Sequence, residues 1–395
     1  MKHFDVVVCG GGIAGVAASL AAARRGRKTL LVEKQSVLGG LATSGLIYIY
    51  LPISDNQDHV IASSITEELL LKCQEYGPFS LAEKWGGSAS SFPGNARNSY
   101  LCCFSPAGYM LTLEKLVRES GVELLLETTV TGVRCDEKNF LREIEIFCGY
   151  EKENISADAF VDATGGAFVL RMAGEKVFPE VNYNNPWILE MNASCSHIYP
   201  FTGELHVQPL KKPEINGSME QVLSTLELQE FIRRQYKVIR SYYDAMGPEE
   251  RKTSYPVHLP MMPQTRKIAR IDALAEIKTG EAGLYVEESI GVAADWRKSA
   301  PAWETPYGAL LPRKTGNALA AGRCINSSGD AWEIFRVIPA AAMTGEAAGV
   351  AAAMSSEQNR SPAAIPVSAL QHELRKTGGI MHIRNGYPFK NKGAE

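Results

Sequence analysis

The chain has 395 residues, 45% of them hydrophobic and 22% charged, with 41 Lys and Arg set against 44 Asp and Glu for a formal net charge of −3. That length supports two domains, each with its own core, and the near-balanced charge gives no electrostatic reason to expect nucleic acid as a partner. No apolar run reaches the ~18 residues of a membrane span, and the eight cysteines show no C-x-x-C and no zinc or iron–sulfur spacing, so no metal is expected.

Phe4 to Cys9 is a continuous β-branched run, as a strand covered on both faces of a parallel sheet requires. Lys2 and this run imitate a secretion signal, but Gly10-Gly11-Gly12 interrupts it, and scattered thiols suit a reducing compartment. The expected location is cytoplasmic. Gly10, Gly12 and Gly15 follow in G-x-G-x-x-G spacing, Val16 to Arg25 is helical, Gly26 suits a helix C-terminus, and Thr29 to Val32 is a second buried strand. Glu33 closes that strand, 18 residues beyond Gly15.

Gly10 allows the strand-to-helix turn, Gly12 lets backbone approach a pyrophosphate, and Gly15 lets helix and strand pack closely. The helix N-terminus offers unpaired N–H groups and a positive dipole end to phosphate. Glu33 would accept hydrogen bonds from both hydroxyls of an adenosine ribose and repel a 2′-phosphate, which favours FAD or NAD over NADP.

Leu38 to Gly45 (L-G-G-L-A-T-S-G) leads out of the second strand, where backbone would run beneath the ribityl and flavin end of such a cofactor. Leu46 to Leu51 is apolar and aromatic; a helix is expected near Ser63 to Tyr76, then a loop-rich stretch containing Arg97, a candidate anion contact. Pro106 to Ser120 reads as an amphipathic helix, followed by strands at Val122–Leu126, Thr129–Cys135, Arg142–Phe147 and Ile155–Phe160, the last three a small meander. The stretch from Ala159 to Gly166, containing F-V-D-A-T-G-G, reads as a further buried strand and glycine turn. The adjacent Cys102-Cys103 reads as buried strand or turn residues rather than a redox pair.

From 167 to about 305 the chain is punctuated by prolines and contains one strong amphipathic helix, Ser218 to Met246; this is expected to be a substrate or cap domain inserted into the cofactor domain. Gly316 to Arg323 returns to strand and glycine turn. Arg336 to Pro339 then opens an Ala-rich helix, Ala340 to Met354, whose N-terminus is a second dipole for a cofactor, and Pro366 to Lys376 is a last helix. No second G-x-G-x-x-G occurs downstream, so no separate nicotinamide domain is recognised.

The chain resembles the FAD-dependent oxidoreductase family with a glutathione-reductase-like FAD fold. The resemblance is carried by D-V-V-V-C-G-G-G-I-A-G, by V-E-K-Q-S-V-L-G-G-L-A-T, and by G-V-E-L-L-L-E-T-T-V. It continues through V-D-A-T-G, T-R-K-I and A-G-R-C-I-N…R-V-I-P-A-A-A-M-T-G-E-A-A-G, in the family's order over most of the chain. It implies α/β architecture: a Rossmann-like FAD-binding domain (1–50, 101–166 and 306–355) with an inserted α+β substrate or cap domain (51–100 and 167–305) and a C-terminal helix and tail, 356–395. The implied FAD contacts are Gly10, Gly12, Ala14, Gly15, Glu33 and Lys34 at the adenosine-diphosphate end, and Gly40, Leu41 and Ala42 along the flavin. Val130 would meet the adenine, Ala163, Thr164 and Gly165 would lie along the FAD, and Gly322 and Arg323 would approach the ribityl and phosphates. Arg336 and the helix start at Ala340 and Ala341 would face the flavin.

Two positions depart from the family pattern. Gly166 stands where relatives often have aspartate, and Ser328-Gly329-Asp330 where they often have serine-histidine. Candidate proton carriers are therefore Asp330, His258, His197, Tyr307 and Tyr48, with Arg266 and Arg336 as anion anchors. The implied function is an FAD-dependent oxidoreductase that moves hydride between a small organic substrate and non-covalently bound FAD, with an external electron acceptor or donor. The alternatives are an FAD-binding tRNA-modification protein, an NAD(P)H-dependent flavin reductase, or a non-catalytic FAD-binding scaffold.

Overall fold

In the computed structural model the described residues are 2–54, 60–62, 64–77, 102–183, 186–191, 206–209, 218–219, 224–251, 254–297 and 301–383. Arg97 and His197 lie outside them. The chain opens with β1 (Lys2–Cys9), α1 (Ile13–Arg24) and β2 (Thr29–Val32), the last buried along its whole length. Gly26, at φ 77°, reverses the chain after α1 in the left-handed region that disfavours a side chain. Next come β3 (Ile49–Tyr50), α2 (Ile65–Lys72) and β4 (Cys102–Cys103), with β3 and β4 paired. α3 (Pro106–Glu119) begins on Ser105, whose hydroxyl accepts from the Gly108 N–H, and delivers the chain to β5 (Glu123–Leu125).

β6 (Thr128–Cys135), β7 (Leu141–Cys148) and β8 (Glu151–Asp162) form the expected antiparallel meander. The two stretches read as Ile155–Phe160 and Ala159–Gly166 are one long strand, β8, because its halves use different neighbours. Its first half pairs with β7, and its last three residues pair in parallel with a strand from far downstream. After α4 (Phe168–Met172) come β9 (Val177–Tyr183), β10 (Trp187–Met191), β11 (His206–Pro209) and β12 (Ser218–Met219). The helix expected from Ser218 starts instead at Thr225: α5 spans Thr225–Asp244, and Ser218 and Met219 pair with Asn182 and Val181. A capping box between Ser224 and Glu227 sets that start.

The chain continues with α6 (Pro248–Arg251), β13 (Tyr255–His258), β14 (Thr265–Ile271), β15 (Ser289–Ala293), β16 (Trp303–Pro306) and β17 (Ala318–Ala320). It ends in α7 (Asp330–Phe335), α8 (Ile338–Gln358) and α9 (Val367–Lys376).

The seven-stranded sheet has the order β5-β2-β1-β8-β7-β6, with β17 also on β8. Its β5-β2-β1-β8 part is parallel throughout, β1 aligning Val6 with Thr29 on one side and Val8 with Val161 on the other. Helix α8 lies across α1 and also touches β8 and β15. Two three-stranded sheets, β12-β9-β14 and β11-β10-β13, are built from the 167–305 stretch. This is a mixed α/β fold of the Rossmann kind, with its glycine turn where parallel strands end.

Candidate functional site

The turn between β1 and α1 is built as the glycines require. A β-carbon on Gly10 would lie 2.7 Å from the Ala163 carbonyl oxygen, and Gly10 has φ 101°. One on Gly15 would overlap the Gly10 carbonyl, whereas one on Gly12 would meet nothing within 4 Å. Gly12 is thus open on the side where a ligand would come, and it caps α1 without a side-chain hydrogen bond. The first N–H groups of α1 are of the kind that can receive phosphate oxygens.

Glu33 is buried beside this turn. The Gly11 N–H donates to one carboxylate oxygen at 2.6 Å and the Gln35 N–H to the other at 2.9 Å. Burial raises its pKa above the usual carboxylate range, while these two N–H donors oppose the shift. Each oxygen keeps a lone pair for a ribose hydroxyl. The backbone of Glu33 also bonds to Leu125 and Thr128, which brings the start of β6, and Val130 two residues on, to the same end of the sheet. Lys34 is exposed, and Ala42 is buried below the partly covered Gly40 and Leu41.

Downstream residues close the site from the opposite side. Asp162, buried at the end of β8, accepts from the N–H and hydroxyl of Thr164 and from the Leu170 N–H, which fixes the Ala163-Thr164-Gly165 turn. Gly322 has φ 73°, and its N–H donates to the Thr344 hydroxyl of α8 at 3.1 Å. A β-carbon there would be 2.8 Å from Ala14 and 3.8 Å from Ala341. Gly322 is therefore wedged between the starts of α1 and α8. Helix α8 also begins without a side-chain cap or an acidic residue in its first turn, so its start through Ala340 offers a second dipole end, while the Ala341 N–H donates to the Val337 carbonyl.

Arg323 projects the other way. Its Nη1 donates to the Thr265 carbonyl at 2.5 Å and the Arg266 carbonyl at 3.3 Å, tying the loop after β17 to β14. Lys267, fully buried on the same strand, reinforces that junction: its ammonium donates to the Ser327 carbonyl at 2.5 Å and pairs with Glu180 of β9 at 3.0 Å. Burial lowers the Lys267 pKa to about 7, against the pull of Glu180. Arg270 shares Glu180 at 2.7 Å. Lys267 and Glu180 are not among the residues expected from sequence. The signal available for Lys267 was the alternation in T-R-K-I-A-R-I, which puts it on the inward face with Thr265, Ala269 and Ile271.

The remaining candidates divide into groups. Arg336, expected to face the flavin, pairs with Glu333 at 2.5 Å and lies over the rings of Trp332 and Trp296. Burial lowers its pKa despite Glu333, and the charges of Arg266 and Arg297 push the same way. Asp330, first residue of α7, receives both terminal nitrogens of Arg297, at 2.5 and 3.1 Å. The structure thus collects Arg266, Arg297, Arg336 and Asp330 into one charged neighbourhood. His258 belongs to the β11-β10-β13 sheet, opposite Leu189. That sheet is docked on the glycine segment near Tyr48: Gln264 donates to the Gly45 carbonyl at 2.6 Å, Met261 N–H to the Ser44 carbonyl at 2.8 Å, and Tyr48 meets Trp187 edge-on. Tyr307 is buried, with its hydroxyl donating to the Pro362 carbonyl at 3.0 Å.

Cys102 is a buried strand residue and Cys103 a half-buried one, as expected. Their thiols are pushed up by burial, Cys103 to about 11. The Cys102 Sγ lies 3.4 Å from Cys73 Sγ, and both are free thiols. Among the described residues no group of His, Cys, Asp and Glu is arranged to hold a metal ion.

The residues fit FAD on several independent observations: an open Gly12, two uncapped helix starts, a buried Glu33 with spare acceptor capacity, and a buried Ser44 hydroxyl on the glycine segment with no hydrogen-bond partner among the described residues. The family model described as FAD dependent oxidoreductase matches residues 5–255 and 264–374. Among curated proteins none matches. Similar solved structures include a geranylgeranyl bacteriochlorophyll reductase-like protein from Thermoplasma acidophilum, at 15% identity over 96% of this chain and 85% of that one, with a TM-score of 0.46. Another is the p-nitrophenol 4-monooxygenase PnpA from Pseudomonas putida, at 12% identity over 94% of this chain and 84% of that one, with a TM-score of 0.44. A third is CabE, an aromatic hydroxylase from angucycline biosynthesis, at 12% identity over 95% and 66%, with a TM-score of 0.47. The chain belongs to the FAD-dependent oxidoreductase family and is an FAD-dependent enzyme.

Proposed function

We propose that the enzyme transfers a hydride between a small organic substrate and non-covalently bound FAD, with an external electron acceptor or donor completing the cycle. The observation that carries this reading is the pairing of an open glycine turn at Gly12 with the buried Glu33 carboxylate, in a chain matched by the family model over nearly its whole length. FAD supplies two-electron acceptance or donation; the chain binds it, orients substrate and moves a proton. Gly10, Gly12, Ala14, Gly15, Glu33 and Lys34 would hold the adenosine-diphosphate part, with Val130 at the adenine. Gly40, Leu41, Ala42, Ala163, Thr164, Gly165, Gly322, Ala340 and Ala341 would hold the rest.

The seven-stranded sheet with α1 and α8 is the proposed FAD-binding unit (1–50, 101–166, 306–355). The small sheets β12-β9-β14 and β11-β10-β13 form the proposed cap. Asp330, Arg266 and His258 are the proposed catalytic set. Asp330 is paired with Arg297 and partly exposed, so a proton it accepted could pass on to solvent. Tyr307 is committed to the Pro362 carbonyl and is set aside. Among the described residues no helix is long and apolar enough to cross a membrane. Scattered cysteines without zinc, iron–sulfur or C-x-x-C spacing suit the proposed reducing, cytoplasmic setting.

The test is the absorbance spectrum of purified protein followed by anaerobic exposure to a panel of small metabolites. At least one is expected to bleach the flavin, and acid precipitation should release the yellow colour into the supernatant. Colour retained in the pellet would refute non-covalent binding. A flavin that no small molecule reduces, or reoxidises after chemical reduction, would refute the transfer reaction.

A further inference from the structure

Among the described residues no carboxylate comes within ion-pair distance of Arg323. Nearby, Lys267 is matched by Glu180, Arg336 by Glu333, and Arg297 by Asp295 and Asp330. One nitrogen, Nη1, is spent on the Thr265 and Arg266 carbonyls. A face of the guanidinium lies over Gly165, where a β-carbon would crowd Nη2, Cζ and Nε together, so glycine is what lets the group lie flat there. The Nε–Nη2 edge has no acceptor among the described residues, and Arg323 is partly buried. Such an edge matches a carboxylate bidentately. Partial burial, together with the charge of Arg336, lowers its pKa to about 10.

Direction decides which anion belongs there. The backbone at Gly322 faces Ala14 and Ala341, at the two helix starts that suit cofactor phosphates. The side chain of the next residue runs instead to β14, in the sheet shared with β9 and β12. The cation therefore sits at the seam between the nucleotide-binding sheet and the proposed cap, with Arg266 on the strand it grips and Arg336 close enough to add positive potential.

From this placement we infer that Arg323 is the anion-recognition residue of the substrate site, and that the substrate is an organic acid whose carboxylate docks on the Nε–Nη2 edge. The inference rests on the substrate-transfer reading above and narrows it to a class. Gly165, proposed to lie along the FAD, gives the guanidinium its room, because a side chain there would crowd Nη2.

The test uses FAD-loaded protein and non-reducing probes: benzoate, malonate and inorganic phosphate, with benzamide as the neutral partner of benzoate. Each is titrated against the flavin absorption spectrum of the wild type, Arg323→Gln and Arg323→Lys, with the FAD-to-protein ratio measured for all three. At least one carboxylate should perturb the wild-type spectrum saturably and benzamide should not. Arg323→Gln should weaken that binding at least tenfold at unchanged FAD content, and Arg323→Lys should fall between. Phosphate binding as well as or better than the carboxylates would replace the organic acid with a phosphoryl substrate and overturn the class. Benzamide matching benzoate, no response to any carboxylate, or undiminished binding in Arg323→Gln would overturn the role of Arg323. Loss of FAD from Arg323→Gln together with Arg323→Lys would reassign the residue to the cofactor phosphates. If Arg323→Gln does not fold, an Arg323→Lys variant that binds the probe as tightly as wild type would refute the bidentate contact. These probes carry no electrons, so their failure leaves the transfer reaction standing, and failure of the metabolite panel leaves their binding to be read separately.

Discussion

Gly345 of α8 lies on the backbone carbonyl of Ala14 in α1, and Gly349 repeats the contact one turn later on Ala18. A β-carbon at either glycine would overlap that carbonyl oxygen. The two helices are thus as close as backbone allows, and their uncapped N-termini are held at one site. Helix α8 carries almost no charged side chain, only Glu346 and Glu357, and is buried nearly from end to end.

Gly345→Ala is therefore expected to destabilise the protein by about 1–3 kcal/mol, the usual scale of overpacking, although alanine is the better helix former. FAD affinity should fall with it, because α1 and α8 must separate. Gly247→Ala is the control, since a β-carbon there would meet nothing within 4 Å. Thermal melting and flavin titration of both variants check this. An unchanged melting temperature for Gly345→Ala would show that the helices can part freely.

Glu33→Ala is expected to act twice. It removes a charged acceptor from the ribose, worth about 1.5–3 kcal/mol per hydrogen bond, or roughly tenfold or more in affinity. It also strips the Gly11 and Gln35 N–H groups of the oxygens they reach at 2.6 and 2.9 Å. The FAD-free protein should therefore melt lower than wild type as well. Flavin affinity that stays unchanged removes Glu33 from the site; an unchanged melting temperature of the FAD-free form removes its role in the turn.

The parts of this site that could be read from sequence are those made by neighbours in the chain. The glycine turn, Gly26 and Glu33 each depend on a span of a few residues, and so does the start of α3 at Ser105-Pro106. The parts that could not be read depend on pairing across sheets. Lys267 meets Glu180 and the Ser327 carbonyl only because β9 pairs with β14 and the loop after Arg323 folds onto both. Ser218 and Met219 read as helix in isolation, yet β9 offers them a ladder, and S-T-L-E at 224–227 is the local signal that places the true helix start. Arg336 reads as a cofactor contact from its motif, and its seat on two tryptophans could not be read beside it, because they lie on different elements, 296 in a loop and 332 on α7.

Glu346 gives a pH dependence of unusual sign. It accepts from Ser64 at 2.5 Å and Thr377 at 3.0 Å, and burial raises its pKa from 4.5 to about 7 against those bonds. A carboxyl whose folded pKa is raised stabilises the fold fully below its unfolded pKa, and that contribution is lost as pH rises through the folded value. The wild type should therefore lose stability between pH ~5 and ~8 relative to Glu346→Gln, by roughly 3 kcal/mol at about 1.4 kcal/mol per pH unit. Melting both proteins across that range checks it: the advantage of Glu346→Gln should grow with pH, and a constant difference would show that Glu346 is ionised throughout.

The last expectation concerns electron supply. The chain has one dinucleotide fingerprint, on the β1–α1 turn, and that turn, with Glu33 and the two helix starts, is proposed to hold FAD. The proposed cap is devoted to a different task, since its strand β14 grips Arg323 at the seam instead of presenting a second glycine turn. NADH and NADPH are thus expected to be poor reductants, with electrons arriving from the substrate itself or from a separate carrier. Stopped-flow mixing under anaerobic conditions, following the flavin band, separates the possibilities. Slow bleaching by both nicotinamides, beside fast bleaching by an organic substrate or a carrier protein, is the expected pattern. Rapid bleaching by either nicotinamide at micromolar concentration would overturn it and make this an NAD(P)H-dependent flavin reductase, whose nicotinamide would have to bind over the flavin without a domain of its own.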